Sequence, residues 1–117
     1  MAITAQEDTR VTLSGRLERH VYPGPPNYGE GPHDSREPAL ILVLDYPIRI
    51  TGGGQGGAVC APFRRAHLYT SRNALWPRLR AAIGHRIRIS GDGSAAFTAH
   101  HRAPLVVDVR AVRLISR

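Results

Sequence analysis

The chain has 117 residues, of which 42% are hydrophobic and 21% charged, as is typical of one globular domain. Sixteen basic residues, all of them arginine, and nine acidic ones give a net charge of +7. The longest apolar run, residues 39–44, is far shorter than the ~20 residues that span a bilayer, so we expect no membrane insertion. A single cysteine, Cys60, excludes an internal disulfide and a thiolate zinc site.

Residues 1–9 are polar and lack the basic and apolar segments of a secretory signal, so we expect a disordered lead before a single domain over residues 10–117. Apolar and polar residues alternate over 10–22, which predicts a long first strand. Gly15 takes an inward position in that strand. A glycine there indicates a bulge or a sharp coil where the strand bends across a second sheet.

The next segments predict a loop, a strand and a second loop. Residues 23–38 carry five of the nine prolines and no apolar periodicity, which is typical of one long loop. Residues 39–51 begin with a run that is apolar on both faces, as expected of a strand central to a closed sheet. Five glycines within residues 52–57 predict a mobile tip, and a short third strand follows over 66–70.

A helix is predicted over residues 74–83, its regular part beginning close to Trp76 because Pro77 is tolerated only in the first turn. Strands follow over 85–91 and 105–115, and the alternation of the last strand slips at residues 111–112, which indicates a bulge. This order of elements predicts a mainly β fold, the five-stranded OB-fold barrel with one short helix between strands three and four. Ligands of that fold meet strands two and three and the loops after strands one and four.

Two motifs carry a resemblance to a known family. The first loop reads Tyr-Pro-Gly-Pro-Pro-Asn-Tyr over residues 22–28, with Asp34 after it, and residues 98–106 read Thr-Ala-His-His-Arg-Ala-Pro-Leu-Val. The chain resembles an uncharacterised bacterial family of small OB-like domains. Because members of that family are similar to exported or lipoprotein-type proteins, the resemblance implies a periplasmic or secreted setting. It implies no activity.

The two loops that a ligand of an OB-fold would meet also hold the most unusual chemistry of the chain. We therefore predict a non-catalytic envelope module that recognises a protein or a small ligand through these loops, the first of them pre-ordered by its prolines. The candidate binding residues are Tyr28, His33, Asp34, His100 and His101. Strand parity predicts that His101 leans inward and forms a hydrogen bond, whereas His100 faces solvent.

A single-stranded nucleic-acid binder is the competing hypothesis, since arginines neutralise phosphates and OB-folds hold single strands on aromatic platforms. Aromatic residues make up only 6% of the chain. We also expect the arginines of the last two strands, among them Arg86, Arg88 and Arg110, to alternate outward as solvated strand faces, with Asp108 pairing across strands.

Metal binding and catalysis have weaker support. His100 and His101 could combine with His33 and Asp34 of the facing loop as metal ligands, but no spacing in the sequence fixes such a set. The chain has neither a G-x-S-x-G motif nor a phosphate-binding loop, because the glycine run is not followed by Lys and Ser or Thr. We therefore expect no enzyme activity, no cofactor and no metal site.

Overall fold

A computed structural model of the chain describes residues 2–4, 9–51, 62–95 and 103–116. Within these ranges the elements are strands β1 (Ala2–Thr4), β2 (Thr9–Pro23), β3 (Arg36–Thr51) and β4 (Phe63–Tyr69), a 3-10 turn (Asn73–Leu75), helix α1 (Trp76–Ala81), and strands β5 (Arg86–Ala95) and β6 (Leu105–Ser116). The glycine-rich tip predicted over 52–57 and Cys60 lie outside the described residues.

Strands β2 to β6 close into a barrel. β2 pairs antiparallel with both β3 and β5, β3 pairs antiparallel with β4, and β5 pairs antiparallel with β6. The parallel pairing of β4 with β6 completes the ring, and α1 lies between β4 and β5 in the chain. This connectivity is that of the OB-fold and confirms the predicted fold class.

Two segments, the lead and the first loop, are more ordered than the sequence predicts, whereas the start of the helix agrees with it. The lead over residues 1–9 is partly ordered, because Ala2–Thr4 pairs in parallel with the end of β3 and β2 begins at Thr9. β2 and β3 remain paired as far as Pro23 and Arg36, so the first loop spans only residues 24–35. The regular helix is short and begins at Trp76, as Pro77 in its first turn predicts.

The core is built from the inward-facing rows of the strands, and α1 covers one end of it. Leu75 and Leu79 of the helical segment are buried against the same cluster as the strand residues. The strand residues of this cluster that are at most 1% exposed are Leu17, Leu42, Ala66, Leu68, Ile87, Ile89, Leu105, Val107 and Val109.

Two glycines allow neighbouring strands to approach closely. Gly15 pairs with Leu44 of β3 on one side and with Ile87 of β5 on the other, and a Cβ there would overlap the carbonyl oxygen of Val43. A Cβ on Gly91 would overlap the carbonyl oxygen of Asp108 in the same way. The register of β5 and β6 shifts next to Gly91 and leaves Arg110 as the extra residue, adjacent to the slip predicted at 111–112.

We predict that Gly15→Ala destabilises the fold by about 3 kcal/mol, because its Cβ meets backbone atoms that cannot move independently of β3. Gly93→Ala is the matched control. Its Cβ would lie 3.3 Å from the side-chain atoms of Leu105 and Val11, which can rotate, so we expect a change within about 1 kcal/mol. Urea unfolding of both variants measures the difference, and equal stabilities would contradict the close approach at Gly15.

Candidate functional site

The loop over residues 24–35 is closed at its base by main-chain hydrogen bonds. The Gly24 N–H donates to the Ser35 carbonyl at 2.8 Å, and the Ser35 N–H donates to the Pro25 carbonyl at 2.8 Å. The Ser35 hydroxyl donates to the same carbonyl at 3.0 Å. These bonds continue the β2–β3 ladder into the loop, so the loop is a fixed extension of the hairpin.

Asp34 holds the tip of this loop together. Its carboxylate accepts hydrogen bonds from the backbone N–H groups of Asn27 at 2.8 Å, Gly29 at 2.5 Å and Gly31 at 3.3 Å. Desolvation acts to raise the pKa of this carboxyl, but the bonds from Gly29, Asn27 and Gly31 outweigh it and lower the pKa. Asp34 was predicted as a recognition residue, and the structure gives it a role inside the loop.

Tyr28 and His33 lie on the surface of the same loop. Tyr28 has a φ of 50°, in the left-handed region, and Gly29 follows with a φ of 106°. The side chain of Tyr28 is 36% exposed, and His33 is also exposed. The structure thus brings three of the five predicted site residues onto one ordered loop, with Asp34 supporting the other two.

The second predicted loop follows β5, and its His100 and His101 lie outside the described residues. The strands that flank it are described. Leu105, the first residue of β6, pairs with Ala66 of β4, and Leu40 of β3 pairs with Leu68 of β4. Arg36, where β3 begins, lies four residues beyond Leu40 in the direction from Ala66 to Leu68. The bases of the two loops are therefore about 20 Å apart along β4. That the two loops face each other stays a prediction, because residues 96–102 lie outside the described ranges.

The outward arginines predicted on the strands are exposed, but carboxylates of the barrel hold several of them. Asp92 accepts hydrogen bonds from Arg10 at 3.2 Å and from Arg110 at 2.5 Å. Asp45 accepts three from Arg86, the shortest at 2.6 Å. The bonded arginine side chains lower the pKa of both carboxyl groups, against a smaller opposing effect of desolvation.

Among the residues that the structure describes, Asp108 has no cross-strand arginine partner of the kind that the sequence predicted. Its carboxylate accepts hydrogen bonds from the backbone N–H and the hydroxyl of Ser71, both at 2.9 Å. It thereby holds the chain where β4 ends, before the helical segment. Asp92 takes the arginines instead, because Arg10 lies directly opposite it in the β2–β5 pairing.

The outer face of β3 and β4, where OB-folds commonly bind ligands, is aliphatic at its centre. Ile41 is fully buried there and pairs with the partly buried His67, and Val43 pairs with Arg65. Tyr69, at the end of β4, is 42% exposed. Over the described part of this face we therefore find no row of aromatic side chains on which successive bases could stack.

Sequence reasoning missed an apolar groove between α1 and the β2–β3 hairpin, with a volume of about 450 Å³. Its lining residues are Arg19, Pro38, Ala39, Leu40, His67, Leu68, Tyr69, Trp76, Arg80 and Ile83. A signal was present in the sequence, because the inward row of the first strand continues past Leu17 to residue 21. That row alone does not show where the helix stops covering it.

Two features are absent from the described ranges, a cluster of metal ligands and a membrane-spanning helix. No group of three His, Cys, Asp or Glu side chains is placed there to hold a metal ion. No helix there is long and apolar enough to cross a bilayer.

The closed barrel, its strand order and the helix after the third barrel strand define a small OB-fold domain. Residues 65–113, from β4 to β6, match the model of a family described as a domain of unknown function, DUF4431. The match confirms the predicted resemblance to a family without an assigned activity. It covers the His100–His101 segment and leaves the first loop outside. No curated protein matches the chain significantly.

We predict that Asp34→Asn loosens the loop, because the amide nitrogen replaces an oxygen that accepts backbone N–H groups. In the native chain the pKa of this carboxyl lies below its ordinary value of 3.8. Its ionised form therefore stabilises the loop fully above that value, and this stabilisation is lost as the pH falls through the lower folded-state pKa.

Amide hydrogen exchange of Asn27 and Gly29, followed by NMR as a function of pH, measures the effect. Protection at neutral pH should be lower in Asp34→Asn and unchanged in Glu30→Gln, which alters an exposed carboxylate of the same loop. Equal protection in Asp34→Asn and the native chain would show that the carboxylate does not order the loop.

Proposed function

We propose that this protein is a non-catalytic binding module of the bacterial envelope, periplasmic or secreted, that recognises a protein or a small ligand through the loops after the first and fourth barrel strands. The observation that carries the proposal is the ordered loop over residues 24–35, where Asp34 binds three backbone N–H groups beneath the exposed Tyr28 and His33. A loop that is ordered before binding loses little conformational entropy when a partner docks. His100 and His101 of the second loop are part of the proposal.

The chemistry of the described carboxylates supports binding rather than catalysis. A catalytic carboxyl group is commonly marked by a pKa shifted toward the working pH by burial or by a neighbouring carboxylate. The pKa values of Asp34, Asp45 and Asp92 are instead lowered, and each of these groups accepts hydrogen bonds that hold the loop or the barrel together. The envelope setting is supported by the family resemblance.

Replacing residues 24–35 by a two-residue Asn-Gly turn tests the loop, because β2 and β3 remain paired at Pro23 and Arg36. We expect the replacement to abolish direct binding of native partners, and Tyr28→Ala or His33→Ala to weaken it by about tenfold. Tyr46→Ala is the control, since Tyr46 is 76% exposed and lies outside the loop. Partners are captured on the immobilised protein and identified by quantitative mass spectrometry. Direct binding is then measured by reconstitution with each purified partner. Undiminished binding by the loop replacement would refute the proposal.

A separate experiment tests the nucleic-acid hypothesis. Fluorescence anisotropy with labelled single-stranded oligonucleotides at moderate salt should show no saturable binding. Saturable binding that falls steeply with salt, and that is lost when the exposed Arg64 and Arg65 of β4 are replaced by Glu, would favour a nucleic-acid binder instead.

A further inference from the structure

The apolar groove is formed where the core-facing side of the β2–β3 hairpin continues beyond the helix. The chain after α1 joins β2 at Leu17, whose N–H donates to the His85 carbonyl at 3.0 Å and whose carbonyl accepts from the Gly84 N–H at 2.7 Å. Leu17 is fully buried at that point. The next residues of the same row, Arg19 and Val21, are exposed, so the hairpin presents a side that nothing in the described chain covers.

The walls of the groove are apolar, and its size suits a small molecule. Leu40 and Leu68 pair across β3 and β4 and form the floor, while the partly buried side chains of Trp76 and Ile83 lie on the helical side. The volume of about 450 Å³ falls within the usual range of small-molecule sites, roughly 300–1,000 Å³.

The charges at the groove have one sign. Arg19 and Arg80 both line it and are exposed, and within the described ranges neither guanidinium group forms an ion pair or a hydrogen bond. The described lining includes no Asp or Glu. Other arginines of the barrel, such as Arg10 and Arg86, do have carboxylate partners. A guanidinium group binds a carboxylate through paired N–H donors, so this groove is complementary to an apolar molecule with an anionic head.

We propose that the groove binds a free amphipathic carboxylate, its hydrocarbon part lying against Leu40, Trp76 and Ile83 and its head group on Arg19 and Arg80. The groove shares no residue with the loop over 24–35. The proposal is therefore independent of partner recognition by that loop and adds a second, small-molecule site to the domain.

The fluorescence of Trp76, the single tryptophan of the chain, gives a direct readout, because its side chain lines the groove. Titration with decanoate below its critical micelle concentration should change the emission saturably, and calorimetry should give the same Kd. Decanol at matched concentrations should bind about fivefold or more weakly, since it lacks the charge. Raised ionic strength should weaken decanoate binding.

Charge reversal then tests the two arginines. Arg19→Glu and Arg80→Glu should each weaken decanoate binding about fivefold or more, whereas Arg64→Glu, at the start of β4 and away from the groove, should leave it unchanged. Thermal melts establish that each variant folds, and Arg80→Gln replaces the Glu variant if the helix is destabilised. The loop replacement should bind decanoate normally, whatever its effect on partner binding.

Three outcomes would overturn the proposal. One is the absence of a saturable Trp76 signal. Another is equal affinity for decanoate and decanol, which would leave only an unspecific apolar surface. The third is tighter binding of a peptide with a free apolar C-terminal residue than of decanoate, which would assign the groove to a polypeptide.

Discussion

The close approach of β2 and β3 at Gly15 is the contact on which the rest of the structure depends. β2 pairs with β5 over its first half and with β3 over its second half, and the two pairings overlap at Gly15 and Arg16. A strand can serve two sheets at one point only if it bends sharply there, and the missing Cβ lets the β3 backbone occupy the necessary space. This bend sets the register of β3, and through β3 that of β4, so that β4 and β6 can close the barrel.

The same geometry produces both candidate sites. Because β2 leaves β5 at Arg16 and stays paired with β3 as far as Pro23, the hairpin projects past the helical end of the barrel. Its tip carries the loop ordered by Asp34, and its core-facing side becomes the uncovered wall of the groove. A hairpin in which β2 ended where it leaves β5 would lose the two surfaces together, although they use different residues and different chemistry.

The period-two alternation predicted the barrel strands, and the position of Pro77 predicted where the helix begins, because both signals are local. The role of Asp34 could not be predicted, since its partners are backbone N–H groups that have no residue signature. The three-residue β1 also escaped prediction, because its parallel pairing with the end of β3 depends on the folded barrel. The groove could not be predicted either, because its position depends on where α1 stops. That point depends on how Gly84 and His85 join β2 at Leu17.

The net charge of +7 is unevenly distributed over the described part of the barrel. Asp92 and Asp108 lie directly opposite each other in β5 and β6, an arrangement that like charges make unfavourable. Arg10 and Arg110 neutralise the first carboxylate, and the second is held by Ser71. Partial burial, Asp108 and Asp92 raise the pKa of Tyr69, whose side chain also lines the groove. At the groove, in contrast, two arginines lie beside an apolar wall and the described lining holds no carboxylate.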